Sequence, residues 1–205
     1  MKISILGAGR IGSGLGNKWK AAGHEIIFGV RNPDDPKYIS LKSDRFKFVT
    51  LTEAMEASEI IVVAVPFSAA REVLGAARDL SQKIIIDCTN ALSGLPSGFL
   101  SAAEAIRRWS GSEKVIKAFN ATGSANLENP VYNGTQIDTY ICGDDKHAKE
   151  TVKKLAEQVG FLVVDAGGIK NAYLLEAFAT LWINLAYQQE MGPDIAFKLL
   201  HRNSK

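Results

Sequence analysis

The stretch Lys2-Ile3-Ser4-Ile5-Leu6-Gly7-Ala8-Gly9-Arg10-Ile11-Gly12 decides how this chain is read. A short apolar run enters three glycines spaced G-x-G-x-x-G. A helical pattern follows over residues 10–22, and Gly23 stands where a left-handed cap is wanted. At this spacing Gly7 permits a tight turn. Gly9 lets the backbone approach a pyrophosphate, and Gly12 lets the helix pack closely on the strand. A helix beginning there offers free N–H groups and the positive end of its dipole to phosphate.

Outward from this loop the chain alternates short apolar runs with helical stretches. Strands are expected at 2–6, 25–30, 46–49, 59–65, 83–87, 115–118, 137–142 and 161–165. Helices are expected at 10–22, in a brief turn capped by Thr52, and at 67–77. Another lies between the last two strands, with Asp144 as its N-cap, Ala148, Val152, Leu155, Ala156 and Val159 as its apolar stripe and Gly160 as its stop. Continuous Ile/Val-rich strands separated by helices imply an α/β fold with a doubly wound, mainly parallel Rossmann-type sheet covered on both faces. Residues 1–165 are expected to form the dinucleotide-binding domain with an extended sheet. Residues 166–205 are expected as a helical hairpin packed on it. Its first helix carries Leu174, Leu175, Phe178, Leu181, Trp182 and Leu185, and its second, after Gly192-Pro193, carries Ile195, Ala196, Leu199 and Leu200.

Composition bounds the possible functions. The 205 residues are 46% hydrophobic and 22% charged, with a net charge of +2. That balance gives no basic surface for nucleic acid. Cys88 and Cys142 have no metal-ligand spacing and read as reduced, buried thiols. No apolar run approaches the ~18 residues of a membrane span. The expectation is a cytoplasmic protein with no membrane, nucleic-acid or metal partner.

At the end of the second strand a site for NAD places an acidic residue for the ribose hydroxyls. Here the chain reads Phe28-Gly29-Val30-Arg31-Asn32-Pro33. A guanidinium pairs with the 2′-phosphate of NADP, which a carboxylate would repel. Arg31 is therefore read as the 2′-phosphate contact, with Asn32 and Lys37 beside it, and Asp34 and Asp35 are expected to face solvent. The nicotinamide end belongs at the carboxyl ends of later strands. There Val65, Pro66 and Phe67 offer an apolar surface, and Asn90, Asn120 and Thr122 offer polar groups. The cofactor-binding set is thus Gly7, Gly9, Arg10, Ile11, Gly12, Arg31, Asn32, Lys37, Val65, Pro66, Phe67, Asn90 and Asn120. No catalytic side chain is identified. His24, His147 and His201 read as surface residues, and no acid–base cluster stands out. Hydride transfer between two redox rings needs close, dry stacking more than a titrating side chain.

Several segments together resemble the NADPH-dependent F420 reductase family, the coenzyme F420-dependent NADP oxidoreductases. They are the opening loop, Gly29-Val30-Arg31-Asn32, Val65-Pro66-Phe67, Lys117-Ala118-Phe119-Asn120 and Ile141-Cys142-Gly143-Asp144-Asp145. Asp165-Ala166-Gly167-Gly168, Leu174-Leu175-Glu176 and Leu181-Trp182 complete the set. The resemblance spans nearly the whole chain. It implies hydride transfer between NADPH and a deazaflavin (F420-like) or related acceptor, and a homodimer. Members often carry a polar residue before the phosphate-binding arginine, where this chain has Val30. The cytosolic domain of ferric and cupric metalloreductases looks similar. Two alternatives stand beside the deazaflavin reading: an NADPH-dependent reductase of a small carbonyl, imine or metal complex, and a regulatory module that binds NADPH without turnover.

Overall fold

The computed structural model describes residues 1–43 and 46–202. Among the described residues ten strands run in chain order: β1 (Lys2–Leu6), β2 (Glu25–Val30), β3 (Lys47–Thr50), β4 (Ile60–Val63), β5 (Ile84–Asp87), β6 (Val115–Lys117), β7 (Val131–Tyr132), β8 (Thr135–Gln136), β9 (Asp138–Gly143) and β10 (Leu162–Asp165). The helices are α1 (Arg10–Ala21), α2 (Ile39–Ser43), α3 (Leu51–Ala57), α4 (Phe67–Leu74), α5 (Ala102–Ser110), α6 (Ser124–Glu128), α7 (Lys146–Val159) and α8 (Ala172–Ile183).

Eight strands form one sheet in the order β10-β9-β6-β5-β4-β1-β2-β3. β1 pairs in parallel with both β2 and β4, so the winding direction reverses at β1 and a crevice opens beyond its carboxyl end. All pairs from β3 to β6 are parallel. β9 then pairs antiparallel to β6, and β10 parallel to β9, which makes the sheet mainly parallel, as expected. Ile3 and Ile5 point into one apolar layer with Leu15, Trp19, Val152 and Leu155. Leu6, Ile61 and Val63 point into the other with Met55, Val73 and Leu175. Strands buried on both faces need apolar residues at every position, hence the continuous Ile/Val runs.

Local chemistry corrects several expected boundaries. The cap of α3 is Thr50, not Thr52. Glu53 N–H donates to Thr50 Oγ1 at 3.3 Å, and Thr50 N–H donates back to Glu53 Oε2 at 2.9 Å, a reciprocal capping box. The cap of α7 is Asp145, which accepts from Ala148 N–H at 2.7 Å. Asp144 instead accepts from Ile169 N–H at 3.0 Å, tying β9 to the segment after β10. The stripe of α7 and its stop at Gly160 are as expected. Between β5 and β6 the chain forms α5, capped by Ser101, which the apolar pattern above does not contain. The β7–β8 hairpin turns on Asn133-Gly134, both with positive φ.

The C-terminal region forms the first helix of the expected hairpin, α8, continued by a wider turn over Asn184–Gln188. Residues 193–200 carry no helix. Backbone groups that a second helix would use there are taken by the rest of the protein. The Ile195 carbonyl accepts from Trp182 Nε1 at 2.9 Å and from Asn126 Nδ2 at 3.0 Å. Leu199 N–H donates to Asp138 on β9, and Lys198 Nζ reaches the same carboxylate at 2.7 Å. Phe197 stacks on Phe178 of α8 with ring centroids 4.2 Å apart. Of the expected 166–205 segment, the last three residues lie outside the described ones. Among the described residues no helix is long and apolar enough to cross a membrane.

Candidate functional site

The first glycine loop sits in the crevice beyond β1. Gly7 has φ +102°, and a Cβ there would lie 2.7 Å from the carbonyl oxygen of Ala64, just past the end of β4. A Cβ on Gly12 would lie 2.1 Å from the Gly7 carbonyl oxygen, so the first turn of α1 presses directly on the loop. Gly9 is the opposite case. It is the N-cap of α1, and a Cβ there would meet nothing within 4 Å. The first internal bond of α1 runs from Ser13 N–H to the Gly9 carbonyl, and its first turn carries no acidic residue. The amides of Arg10, Ile11 and Gly12 precede that bond and present a partial positive charge to an open space. This cradle fits a pyrophosphate.

Two grooves leave the loop. One, of about 680 Å³, runs to the end of β2 and is lined by Gly7, Arg31, Asn32, Lys37 and Leu51 among others. Arg31 lies 3.5 Å from Glu72 on α4, with both side chains mostly exposed, so the contact holds it weakly. Asn32 Oδ1 accepts from Asp34 N–H at 3.2 Å, which leaves its amide nitrogen for another partner. Lys37 pairs with Asp35 at 2.7 Å. Through its hydrogen bonds that pairing pulls the Asp35 carboxyl below its usual range and raises the Lys37 ammonium. Asp34 is exposed as expected, whereas Asp35 turns into the groove wall because it caps the single helical turn Pro36–Tyr38.

The other groove, of about 380 Å³, runs across the ends of β4 and β5. Arg10 and Ile11 line it from α1, and Cys88, Thr89 and Asn90 from the turn after β5. Val65, Pro66 and Ser68 line both grooves and join them. Phe67 reaches the cleft wall, but its ring is buried and stacks on Trp109 of α5 with centroids 5.4 Å apart. Asn90 and Asn120 are brought together: each amide nitrogen donates to the other residue, at 2.9 Å in both directions. Thr122 turns away and accepts from Asn126 Nδ2. None of the three histidines lines either groove. Among the described residues no group of three or more metal-ligating side chains forms.

Beneath the cleft lies a feature the pattern reading missed. Lys117 of β6 is fully buried and bridges Asp87 of β5 at 2.9 Å and Glu176 of α8 at 3.0 Å. Its Nζ also donates to the Thr89 carbonyl. Burial lowers the Lys117 titration point, but the charges of Asp87 and Glu176 and their hydrogen bonds outweigh it, and the ammonium titrates above its ordinary value. Glu176 in turn accepts from the Ala102 and Ala103 amides at the start of α5. The available signal was a lysine inside Val115-Ile116-Lys117-Ala118: a charge in a strand buried on both faces requires a partner. Burial, and then the Asp87 charge, pushes the Cys88 thiol far up, and burial raises Cys142 to about 12, so both stay protonated.

Residues 2–91 match the family model for NADP oxidoreductase, coenzyme F420-dependent. The F420-dependent NADP reductase of Methanothermobacter marburgensis is 30% identical over 212 residues, covering 90% of this chain and 92% of that protein. Metalloreductase STEAP3 of Rattus norvegicus is 30% identical over 179 residues, covering 86% of this chain but 36% of that protein. Among solved structures, a protein of Arthrobacter sp. FB24 described provisionally as an F420-dependent NADP reductase superposes with a TM-score of 0.86. Its identity is 25%, over 98% of this chain and 100% of that one. An Aspergillus terreus reductive aminase in complex with NADPH and ethyl levulinate shares the fold, with a TM-score of 0.72 at 16% identity over 92% of this chain and 62% of that one.

Proposed function

Because the chain belongs to the F420-dependent NADP reductase family, we propose that it is an NADP(H)-dependent oxidoreductase that moves a hydride between NADPH and a deazaflavin ring. The observation that carries the acceptor is the cleft at the ends of β4 and β5. Neither a carboxylate nor a histidine lines it, and its one thiol stays protonated. Such a wall suits two stacked rings and offers no general acid for a carbonyl oxygen.

NADPH, when bound, supplies the hydride at C4 of its nicotinamide. The chain's own residues do the holding. The amides of Arg10, Ile11 and Gly12 take the pyrophosphate at the open face of Gly9. Arg31 takes the 2′-phosphate, with Asn32 and Lys37 beside it. Val65 and Pro66 carry the dinucleotide from one groove to the other, and Phe67, Asn90 and Asn120 shape the far end. Mixing the purified protein with NADPH and oxidised deazaflavin and following both absorbances tests the reading. Absence of exchange with bound NADPH discards the acceptor while leaving the cofactor.

The likeness to a metalloreductase supports a second reading, in which the same cleft serves an NADPH-dependent reduction of a metal complex. Turnover that requires such a complex and ignores the deazaflavin would favour it. We also propose that the protein is a cytoplasmic homodimer. The outer face of α8 leaves Tyr173, Leu174 and Leu181 about half exposed, with Tyr187 and Met191 beyond it, an apolar surface that association would cover. Sedimentation that reports a monomer at micromolar concentration removes that part.

A further inference from the structure

Two buried side-chain atoms among the described residues have no hydrogen-bond partner, Thr89 Oγ1 and Asn120 Oδ1. Both belong to turns that leave the carboxyl ends of neighbouring strands, β5 and β6, and Thr89 lines the cleft. Buried polar atoms are rarely left unpaired, and each one costs stability. Here the surroundings are otherwise satisfied with care.

Thr89 N–H donates to Asp87 Oδ1 at 2.8 Å, and its carbonyl accepts from Lys117 Nζ. The peptide is therefore held from both sides by the buried ion pair, and only the hydroxyl is left. Asn120 Nδ2 donates to the Leu175 carbonyl at 2.9 Å and to Asn90 Oδ1 at 2.9 Å. A backbone carbonyl only accepts, so the amide orientation of Asn120 is determined by Leu175. Asn90 is oriented the same way, because its Nδ2 donates to the Asn120 carbonyl. With both amides so locked, the unpaired atom of Asn120 is an acceptor and nothing else. Thr89 contributes a hydroxyl free to rotate and donate.

A donor and an acceptor left open on adjacent strand ends match a primary carboxamide, whose C=O accepts and whose NH₂ donates. A carboxylate would bring no donor for Asn120 Oδ1. We propose that Thr89 Oγ1 and Asn120 Oδ1 are a carboxamide-recognition pair that sets the nicotinamide face of NADP(H) in the cleft. Asp87, Lys117 and Glu176 act as positioning residues behind it. The proposal rests on the NADP(H) reading above.

The test compares three ligands by calorimetry: NADP⁺, its 3-acetylpyridine analogue, which keeps the carbonyl and lacks the amide nitrogen, and 2′-phospho-ADP-ribose, which lacks the ring. One neutral hydrogen bond corresponds to roughly a two- to tenfold change in affinity. Thr89→Val is expected to weaken NADP⁺ about tenfold and to leave 2′-phospho-ADP-ribose unchanged, while Thr89→Ser retains NADP⁺ affinity. The wild type is expected to bind the acetylpyridine analogue several-fold more weakly than NADP⁺. The ligand-free Thr89→Val protein is expected to melt about 1–4 °C higher than wild type, since an unpaired hydroxyl is replaced by a methyl of the same shape. Equal losses of NADP⁺ and 2′-phospho-ADP-ribose, or no loss of either, would overturn the pair. Failure of the wild type to bind any of the three overturns the NADP(H) reading with it.

Discussion

Replacing Lys117 with Met separates the architectural from the chemical contribution of the buried bridge. Met keeps the length and apolar stem of lysine and deletes the charge. Asp87, 0% exposed, then loses its cationic partner and keeps only the Thr89 amide. Glu176, 11% exposed, keeps the Ala102 and Ala103 amides. The cost therefore falls mainly on Asp87. Removing one partner of a buried pair costs about 3–5 kcal/mol, against a total stability of roughly 5–15 kcal/mol for a domain. At about 2–4 °C per kcal/mol for a chain of this size, the melting point should fall by roughly 6–20 °C. Adding Asp87→Asn removes the stranded charge, so Lys117→Met/Asp87→Asn should recover part of that loss, with a coupling of about 1–3 kcal/mol. Urea titrations of the wild type, both singles and the double give all four corners of the cycle. Wild-type stability in Lys117→Met, or strictly additive losses in the double, would refute a bridge that neutralises Asp87. The linkage has a definite sign. Lys117 titrates above its ordinary 10.5 in the folded protein, so its stabilisation is complete below that pH and is lost as the pH rises through the higher folded value. The wild type should therefore weaken in strong alkali by an increment that Lys117→Met lacks.

Arg31→Ala should weaken NADPH by about 10–100-fold, the worth of charge-assisted hydrogen bonds to phosphate, and leave NADH and urea stability almost unchanged. Equal losses for both nucleotides would mean that Arg31 does not read the 2′-phosphate. Glu72→Gln removes the anion 3.5 Å from Arg31, and a several-fold gain in NADPH affinity, read by fluorescence titration, is the expected sign. Gly12→Ala drives a Cβ toward the Gly7 carbonyl oxygen. Overpacking of that kind costs about 1–3 kcal/mol or more, and calorimetry should show nucleotide binding falling with stability. Cys88 and Cys142 should resist alkylating reagents in native buffer at neutral pH and react after denaturation, because burial keeps both protonated.

Most of the sheet was legible because its strands are buried on both faces, which demands apolar residues at every position and leaves runs such as Ile84-Ile85-Ile86. The stripe of α7 was legible because a helix that buries one face repeats its apolar residues every three to four positions, and its stop because Gly160 takes the left-handed cap. What escaped was chemistry that uses no apolar period. Ser101-x-x-Glu104 before α5, Thr50-x-x-Glu53 before α3 and the Asn133-Gly134 hairpin turn were all present in the sequence as capping and turn signals. Being local polar signals, they leave no trace in hydrophobic spacing. Ile195, Ala196, Leu199 and Leu200 showed a helical spacing, but eight residues are too few for a helix to form on propensity alone. The side chains of Trp182, Asn126 and Asp138 claim the backbone groups such a helix would need.

The glycine loop is written into the residues themselves, because turn, close approach and helix packing are local demands that three glycines meet within six residues. So is the cation at the end of β2, since Arg31 follows the second strand in any α/β winding. What gathers at the carboxyl ends of β5 and β6 follows only from how distant segments pack together. Asp87, Lys117 and Glu176 come from two strands and a helix, and Thr89, Asn90, Asn120 and Leu175 from parts of the chain up to 86 residues apart. Their meaning lies in which donors and acceptors are used and which remain open. That is a property of distances in space, and no local pattern of residues encodes it.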